Sequence, residues 1–191
     1  MTKNSNELFD IMATETKSRI LASTPTGISI ELVERLGESD FNQIIKISGE
    51  LTEHYGKKAK FSRNTISKYF NFPNTFPIVV RYRGTIEGFI IGVPLERFMK
   101  EYWVQCDPNL GKNNTVYTYA FIVRKDNRHL GLSKMLKRVY QSYLKKIGFK
   151  YVSGHVRERV ALNFKKNSRI IKKFPNWNNT GYTFEYYRCE L

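Results

Sequence analysis

The sequence predicts a mixed α/β domain in which a mostly antiparallel, mixed sheet of six to seven strands carries helices on both faces. Three observations lead there. Apolar residues switch between period-two and period-3.6 spacing along the chain, giving the order β-α-α-β-β-β-α-β-α-β. A tight hairpin sits at "FPIVVRYRGTIEGFIIGVPLE", where β-branched runs at 78–82 and 85–93 flank Arg83-Gly84. The 191 residues, 41% hydrophobic and 14% aromatic, suffice for one well-buried core and are too few for two comfortable ones.

Taken in order, residues 1–27 read as an accessory segment with a short helix around Glu7 to Leu21, ended by "STPTG". The main domain is expected over 28–191. "ISIELVERL" alternates as a strand (28–36), and "ESDFNQIIKISGELTEHYG" follows as a helix with apolar Phe41, Ile44, Ile45 and Leu51 and a stop at Gly56. A second short helix fits "SRNTISKYF", before Pro73 and Pro77. After the hairpin, a looser connection leads to "TVYTYAFIV", a central strand at 115–123. The best periodic match comes next. Leu132, Met135, Leu136, Val139, Tyr140, Tyr143, Leu144 and Ile147 recur at i, i+3, i+4, i+7 spacing, and Gly148 supplies the stop. A strand at 149–156, a helix at 158–174 and a final strand from Tyr182 complete the order.

Several function classes lack support. No run of 18 apolar residues and no secretory pattern occurs, so a cytoplasmic protein without a membrane span is expected. Cys106 and Cys189 stand far apart without C-x-x-C spacing, which points to reduced thiols and away from a zinc site. The three histidines, His54, His129 and His155, form no H-E-x-x-H, and no G-x-S-x-G is present, so neither a metal nor a serine nucleophile is expected.

Charge is concentrated. Residues 112–173 hold 17 of the 32 Lys and Arg against Asp126 and Glu158 alone, which accounts for the whole net charge of +15. A basic segment beside a neutral remainder suggests contact with a polyanion: a nucleotide cofactor, a nucleic acid or a membrane surface. A solvated lysine-rich face is the plainer alternative.

Within that segment, "VRKDNRHLGLSKML" joins the central strand to the amphipathic helix. The first N–H groups of a helix have no intrahelical partner, and with the macrodipole they form an anion site. Gly131 lets an anion approach the backbone, Ser133 adds a hydroxyl and Arg128 a charged fork. Neither G-x-x-x-x-G-K-[ST] nor a G-x-G-x-x-G after a strand is present.

The stretch from Val123 through Arg128 and Gly131 to Ser133 resembles the acyl-CoA-binding motif of the GCN5-related N-acetyltransferases (GNAT), an Arg or Gln, two residues, Gly, one residue, then Gly or Ala. Element order extends the resemblance from about Ile28 to the C-terminus. The resemblance implies an acyl-CoA-dependent N-acyltransferase, with acetyl-CoA as co-substrate and no metal. It implies that main-chain groups of Phe121, Ile122 and Val123 pair with the pantetheine arm. The N–H groups of Arg128, His129, Leu130, Gly131, Leu132 and Ser133 would cradle the pyrophosphate. Lys134 and Asn163, or Lys165 and Lys166, would reach the outer phosphates.

In the family's chemistry a neutral amine attacks the thioester directly in a ternary complex, so a base and an acid are needed. Glu87, His155 and Glu158 are the candidate bases, each with a structural alternative as a solvent-facing or hydrogen-bonded residue. Ser133 and Lys125 depart from the motif's usual Gly or Ala and Pro. The expected helix at 158–174 lacks the family's tyrosine and holds only Phe164 and Phe174. The acid is therefore sought at Tyr186, or at Tyr119, Tyr182 or Tyr187, or in water. Two rivals stay open: a nucleic-acid-binding module using the basic segment with Tyr140, Tyr143, Phe149 and Tyr151, and a CoA-binding protein of this fold without turnover. The acceptor amine and the oligomeric state are not legible.

Overall fold

The computed structural model describes residues 15–164 and 167–191, with the side chains of residues 127–129, 162 and 163 outside the description. Eight strands form one sheet: β1 Lys17–Ser23, β2 Ile28–Arg35, β3 Phe76–Tyr82, β4 Thr85–Pro94, β5 Thr115–Val123, β6 Tyr151–Arg157, β7 Ser168–Phe174 and β8 Phe184–Glu190. Their spatial order is β1-β2-β3-β4-β5-β6-β8-β7. Every pairing is antiparallel except that of β5 with β6. The helices are α1 Glu38–Ser48, α2 Thr52–Tyr55, α3 Arg63–Phe70 and α4 Leu132–Lys146. The expected mixed, mostly antiparallel sheet is therefore present.

Apolar periodicity decides which face each helix covers. Phe41, Ile44 and Ile47 of α1 and Ile66 and Phe70 of α3 bury against Val79, Phe89 and Ile91. On the opposite face the α4 stripe of Leu132, Leu136, Tyr140 and Leu144 packs on Ile78, Ile90 and Val116. Local signals set the ends. Ser62 accepts a hydrogen bond from the Thr65 N–H at the start of α3, and α1 carries Glu38 and Asp40 in its first turn and Lys46 in its last. A third aromatic cluster, around Trp103, Tyr117, Phe174, Trp177 and Tyr186, lies under the 95–110 connection.

Two expected helices are corrected. Residues 17–21 of the expected N-terminal helix lie in β1, which pairs with β2; the rest of that helix, residues 7–14, falls outside the described residues. The helix expected at 158–174 is a 3-10 turn, Val160–Asn163, followed by strand β7. Arg159 sits at φ 72°, which breaks a helix at its first turn. Ile171 and Phe174 bury inward while Arg169, Lys172 and Lys173 stay exposed. As a helix, this segment would set Arg169 and Lys173 at i and i+4, where like charges repel. As an edge strand, the same cations deter pairing with other chains.

An ion-pair cluster fastens β2, β3 and α1. The Arg81 guanidinium lies 3.2 Å from Glu31 Oε2 and 3.2 Å from Asp40 Oδ1, while Ser18 and Ser29 donate to Glu31 and Thr16 donates to Asp40. Burial pushes both carboxyls up, but these hydrogen bonds and the Arg81 charge outweigh it and hold them below their ordinary values. Replacing Arg81 with Met leaves two buried carboxylates without their cation. The expected loss is about 3–5 kcal/mol in urea unfolding; a loss under about 1 kcal/mol would mean that the cluster is merely surface decoration.

Candidate functional site

The site originates where β5 and β6 part. They pair only over Thr115–Tyr117 against Tyr151–Ser153. Beyond that point β5 continues to Val123 beside β4, and β6 continues to Arg157 beside β8. A register shift opposite Ile91/Gly92 leaves Tyr119 as an extra residue on β5, a bulge that bends the strand. Tyr187 of β8 fills the gap across Gly154, where an added Cβ would stand 3.1 Å from its ring. At the same place the Thr118 hydroxyl lies 3.2 Å from that of Tyr140.

A cavity of about 960 Å³ runs through this parting. On the α4 side it is lined by Lys137, Tyr140, Gln141 and Phe164. On the α1–α3 side its walls are aromatic: Tyr55, Tyr69, Trp103, Tyr117, Tyr119 and Trp177. Lys57, Lys58 and Glu101 also line it. Several of these hydroxyls are already engaged. Tyr55 donates to the His155 carbonyl at 3.4 Å, and Tyr117 pairs with His155 Nδ1 at 3.0 Å. Burial raises Tyr117 well above the ordinary phenol value and also raises Tyr119 and Tyr187, so all three keep their protons.

Beyond Val123 the chain makes a 3-10 turn over Lys125–Leu130 and enters α4 through Gly131, at φ 68°. Among the described residues no side chain caps the helix. An added Cβ at Gly131 would meet nothing within 4 Å, so the backbone there is open to a ligand. Ser133 and Lys134 are exposed, and Leu132 is buried under α4. Phe121 lines the cavity; Ile122 and Val123 pack against the two cores. The side chains of Arg128, His129 and Asn163 lie outside the description, as do Lys165 and Lys166 altogether. These features fit a phosphorylated, amide-bearing ligand. Six residues of β5 lack a ladder partner on the β6 side, and an uncapped helix start follows them.

The four catalytic candidates separate. His155 lines the cavity, stacked on Trp177 at 3.9 Å, and burial pushes it down to about 3, so it is neutral at neutral pH and a poor base. Glu87 is buried on β4 near Arg124, whose N–H donates to the Glu87 carbonyl, and it does not line the cavity. Glu158 is exposed and paired with Lys173 at 2.7 Å, which holds it below its ordinary value. Tyr186 donates to Asp107 at 2.6 Å inside the third cluster; burial and that carboxylate raise it, and it packs behind His155 and Trp103 without lining the cavity itself. Of the other tyrosines, Tyr119 and Tyr187 line the cavity, whereas Tyr182 is exposed under Arg157. Sequence reasoning missed Glu101 and the aromatic wall. The one available signal was the "EYWVQ" cluster inside a segment read as a connection.

This parted sheet, with its glycine-marked helix start, is the GNAT fold. The chain is similar to the ribosomal-protein-S18-alanine N-acetyltransferase from Escherichia coli, at 14% identity over 85% of this chain and 93% of that one, with a TM-score of 0.61. A GCN5-related N-acetyltransferase from Kribbella flavida matches at 16% identity over 88% of this chain and all of that one, with a TM-score of 0.64. An aminoglycoside 6'-N-acetyltransferase complexed with coenzyme A matches at 10% identity, 84% and 96% coverage and a TM-score of 0.59. No family model matches the chain, and no curated protein matches it in sequence. Among the described residues no helix is long and apolar enough to cross a membrane, and no three His, Cys, Asp or Glu gather as a metal site.

The buried histidine has a thermodynamic consequence. Its pKa is about 3 in the fold against 6.5 for the free group, so between those values the unfolded chain binds a proton that the native state does not. Its contribution to stability is complete above pH 6.5 and falls as pH drops toward 3, with a slope of at most about 1.4 kcal/mol per unit. Urea unfolding of the wild type and His155→Gln between pH 4 and 7 should show a shallower slope in the variant. Equal slopes would place the His155 ring in contact with solvent.

Proposed function

We propose that this chain is an acyl-CoA-dependent N-acyltransferase that moves an acetyl group from acetyl-CoA to a primary amine by direct attack. The observation that carries the reading is the parting of β5 from β6 beside the open, uncapped start of α4, with one cavity passing between the strands. Thr118–Val123 offer unpaired main-chain donors and acceptors to the amide-bearing arm. The N–H groups around Gly131, Leu132 and Ser133, with Lys134 nearby, hold the phosphates. When bound, acetyl-CoA supplies a thioester whose acyl carbon passes to the amine nitrogen, yielding an amide and a free thiol, with one proton released if the amine enters as ammonium.

The chain's own groups act on charge and protons. Tyr187 sits in the parting with its proton held by burial, so it donates a hydrogen bond to the charge that develops on the leaving sulfur. Tyr186, committed to Asp107, serves the core. No buried carboxylate or basic imidazole faces the cavity among the described residues, so the amine's proton leaves to solvent along the open mouth near Glu101 and Lys58. Of the aromatics in the nucleic-acid reading, Tyr140 is 1% exposed and Tyr143 packs edge-on against Phe76, so two of the four are taken up by the core.

Acetyl-CoA at ~100 times its dissociation constant should stabilise the wild type by about 2.7 kcal/mol, a melting shift of roughly 5–10 °C. Gly131→Glu should abolish that shift, and no shift in the wild type would remove the reading. For Tyr187→Phe, kcat should fall on the order of 10²-fold with acetyl-CoA binding retained, while Tyr186→Phe should affect stability more than rate. The reverse ranking would exchange the two roles, and bound cofactor without turnover on any amine would identify a binding protein of this fold.

A further inference from the structure

The cavity has two unlike halves, and the half facing α1 and α3 has its own chemistry. Its walls are mainly ring faces, with the Tyr55 and Tyr117 hydroxyls turned to protein partners and His155 Nε2 as a buried nitrogen that has none among the described residues. Tyr117 is bonded to His155 Nδ1 and Tyr55 to the His155 carbonyl, while Tyr69 and Tyr119 lie face to face. Tyr69 and Tyr119 stack at 3.8 Å and His155 stacks on Trp177 at 3.9 Å, which fixes the wall as carbon surface. A polyhydroxylated acceptor would find few hydrogen-bond partners here and would leave its own groups desolvated.

Charge narrows the class further. Glu101 is the single carboxylate among the described residues that line the cavity, against the cations Lys57, Lys58 and Lys137. A polyamine or aminosugar would meet more repulsion than attraction. A single ammonium meets the least of that repulsion, while ring faces attract it through their quadrupole and Glu101 supplies one negative charge. Rings stack on rings. Resting on the acyltransferase reading, we propose that the acceptor is an aromatic primary amine carrying no more than one positive charge, its ring held among Tyr55, Trp103, Tyr119 and Trp177 and its nitrogen directed to the parting of β5 and β6.

The chain has two tryptophans, Trp103 and Trp177, and both line this cavity, so intrinsic tryptophan fluorescence reports on its wall. The test titrates the full chain with 2-phenylethylamine, n-butylamine and spermidine. The expected result is a saturable change whose half-saturation for 2-phenylethylamine lies about ten-fold below that of n-butylamine and below that of spermidine. Glu101 is exposed, so Glu101→Lys should fold normally. It should weaken 2-phenylethylamine several-fold and leave the uncharged 2-phenylethanol unchanged. Spermidine binding as tightly as 2-phenylethylamine, no saturable response to 2-phenylethylamine below ~10 mM, or unchanged 2-phenylethylamine binding in Glu101→Lys would overturn the proposal. Stabilisation by acetyl-CoA with no amine response would sink this proposal alone. An amine response without stabilisation by acetyl-CoA would sink the acyltransferase reading and leave an aromatic-amine pocket.

Discussion

The proposed function depends on two neighbouring parallel strands that stop pairing after three residues. A strand inside a sheet normally satisfies its N–H and C=O groups on both sides, and leaving one side open costs free energy unless something else pairs with it. Here the opening is enforced from three directions. The bulge at Tyr119 bends β5, Tyr187 lies across Gly154 where no side chain of β6 intervenes, and Tyr55 takes the His155 carbonyl that the parting exposes. The open edge is therefore held ready before any ligand arrives, so binding need not spend energy on separating the strands.

The surroundings frame that opening with packed cores. α1 and α3 cover one face and α4 the other, so the gap lies between two packed cores and not at a loose rim. Arg81 locks β2, β3 and α1 together on the far side of the sheet. Burial raises the tyrosines and lowers His155, leaving the interior neutral near pH 7, with charge confined to Lys57, Lys58, Glu101 and Lys137 at its margins. In such a low-dielectric gap the hydrogen bond proposed for Tyr187 would have more effect on developing charge than it would in water.

Legibility followed the strength of local periodicity. The hairpin, β5 and α4 were readable because alternation and the 3.6 repeat were long and bounded by glycine or proline. The segment "SRIIKKF" carries an Ile-Ile pair among cations that suits a helix and an edge strand alike, and only the pairing with β8 and the φ 72° turn at Arg159 decide it. Tyr186 and Tyr187 show the limit at the site. They are adjacent on one strand and point to opposite faces, so one supports a core and the other enters the cavity, a distinction that register alone makes. The aromatic wall was hidden differently: Tyr55, Tyr69, Trp103 and Trp177 come from four separate segments, each with an ordinary structural explanation.

The central claim is that the unpaired length of β5 and the start of α4 together form one ligand cradle. Backbone hydrogen exchange with and without saturating acetyl-CoA tests it most directly. The account predicts slowed exchange concentrated at residues 118–123 and 131–135, with β1, β2 and β3 unchanged. Protection that spares 118–123, or that appears instead along the basic outer surface of β7, would contradict it.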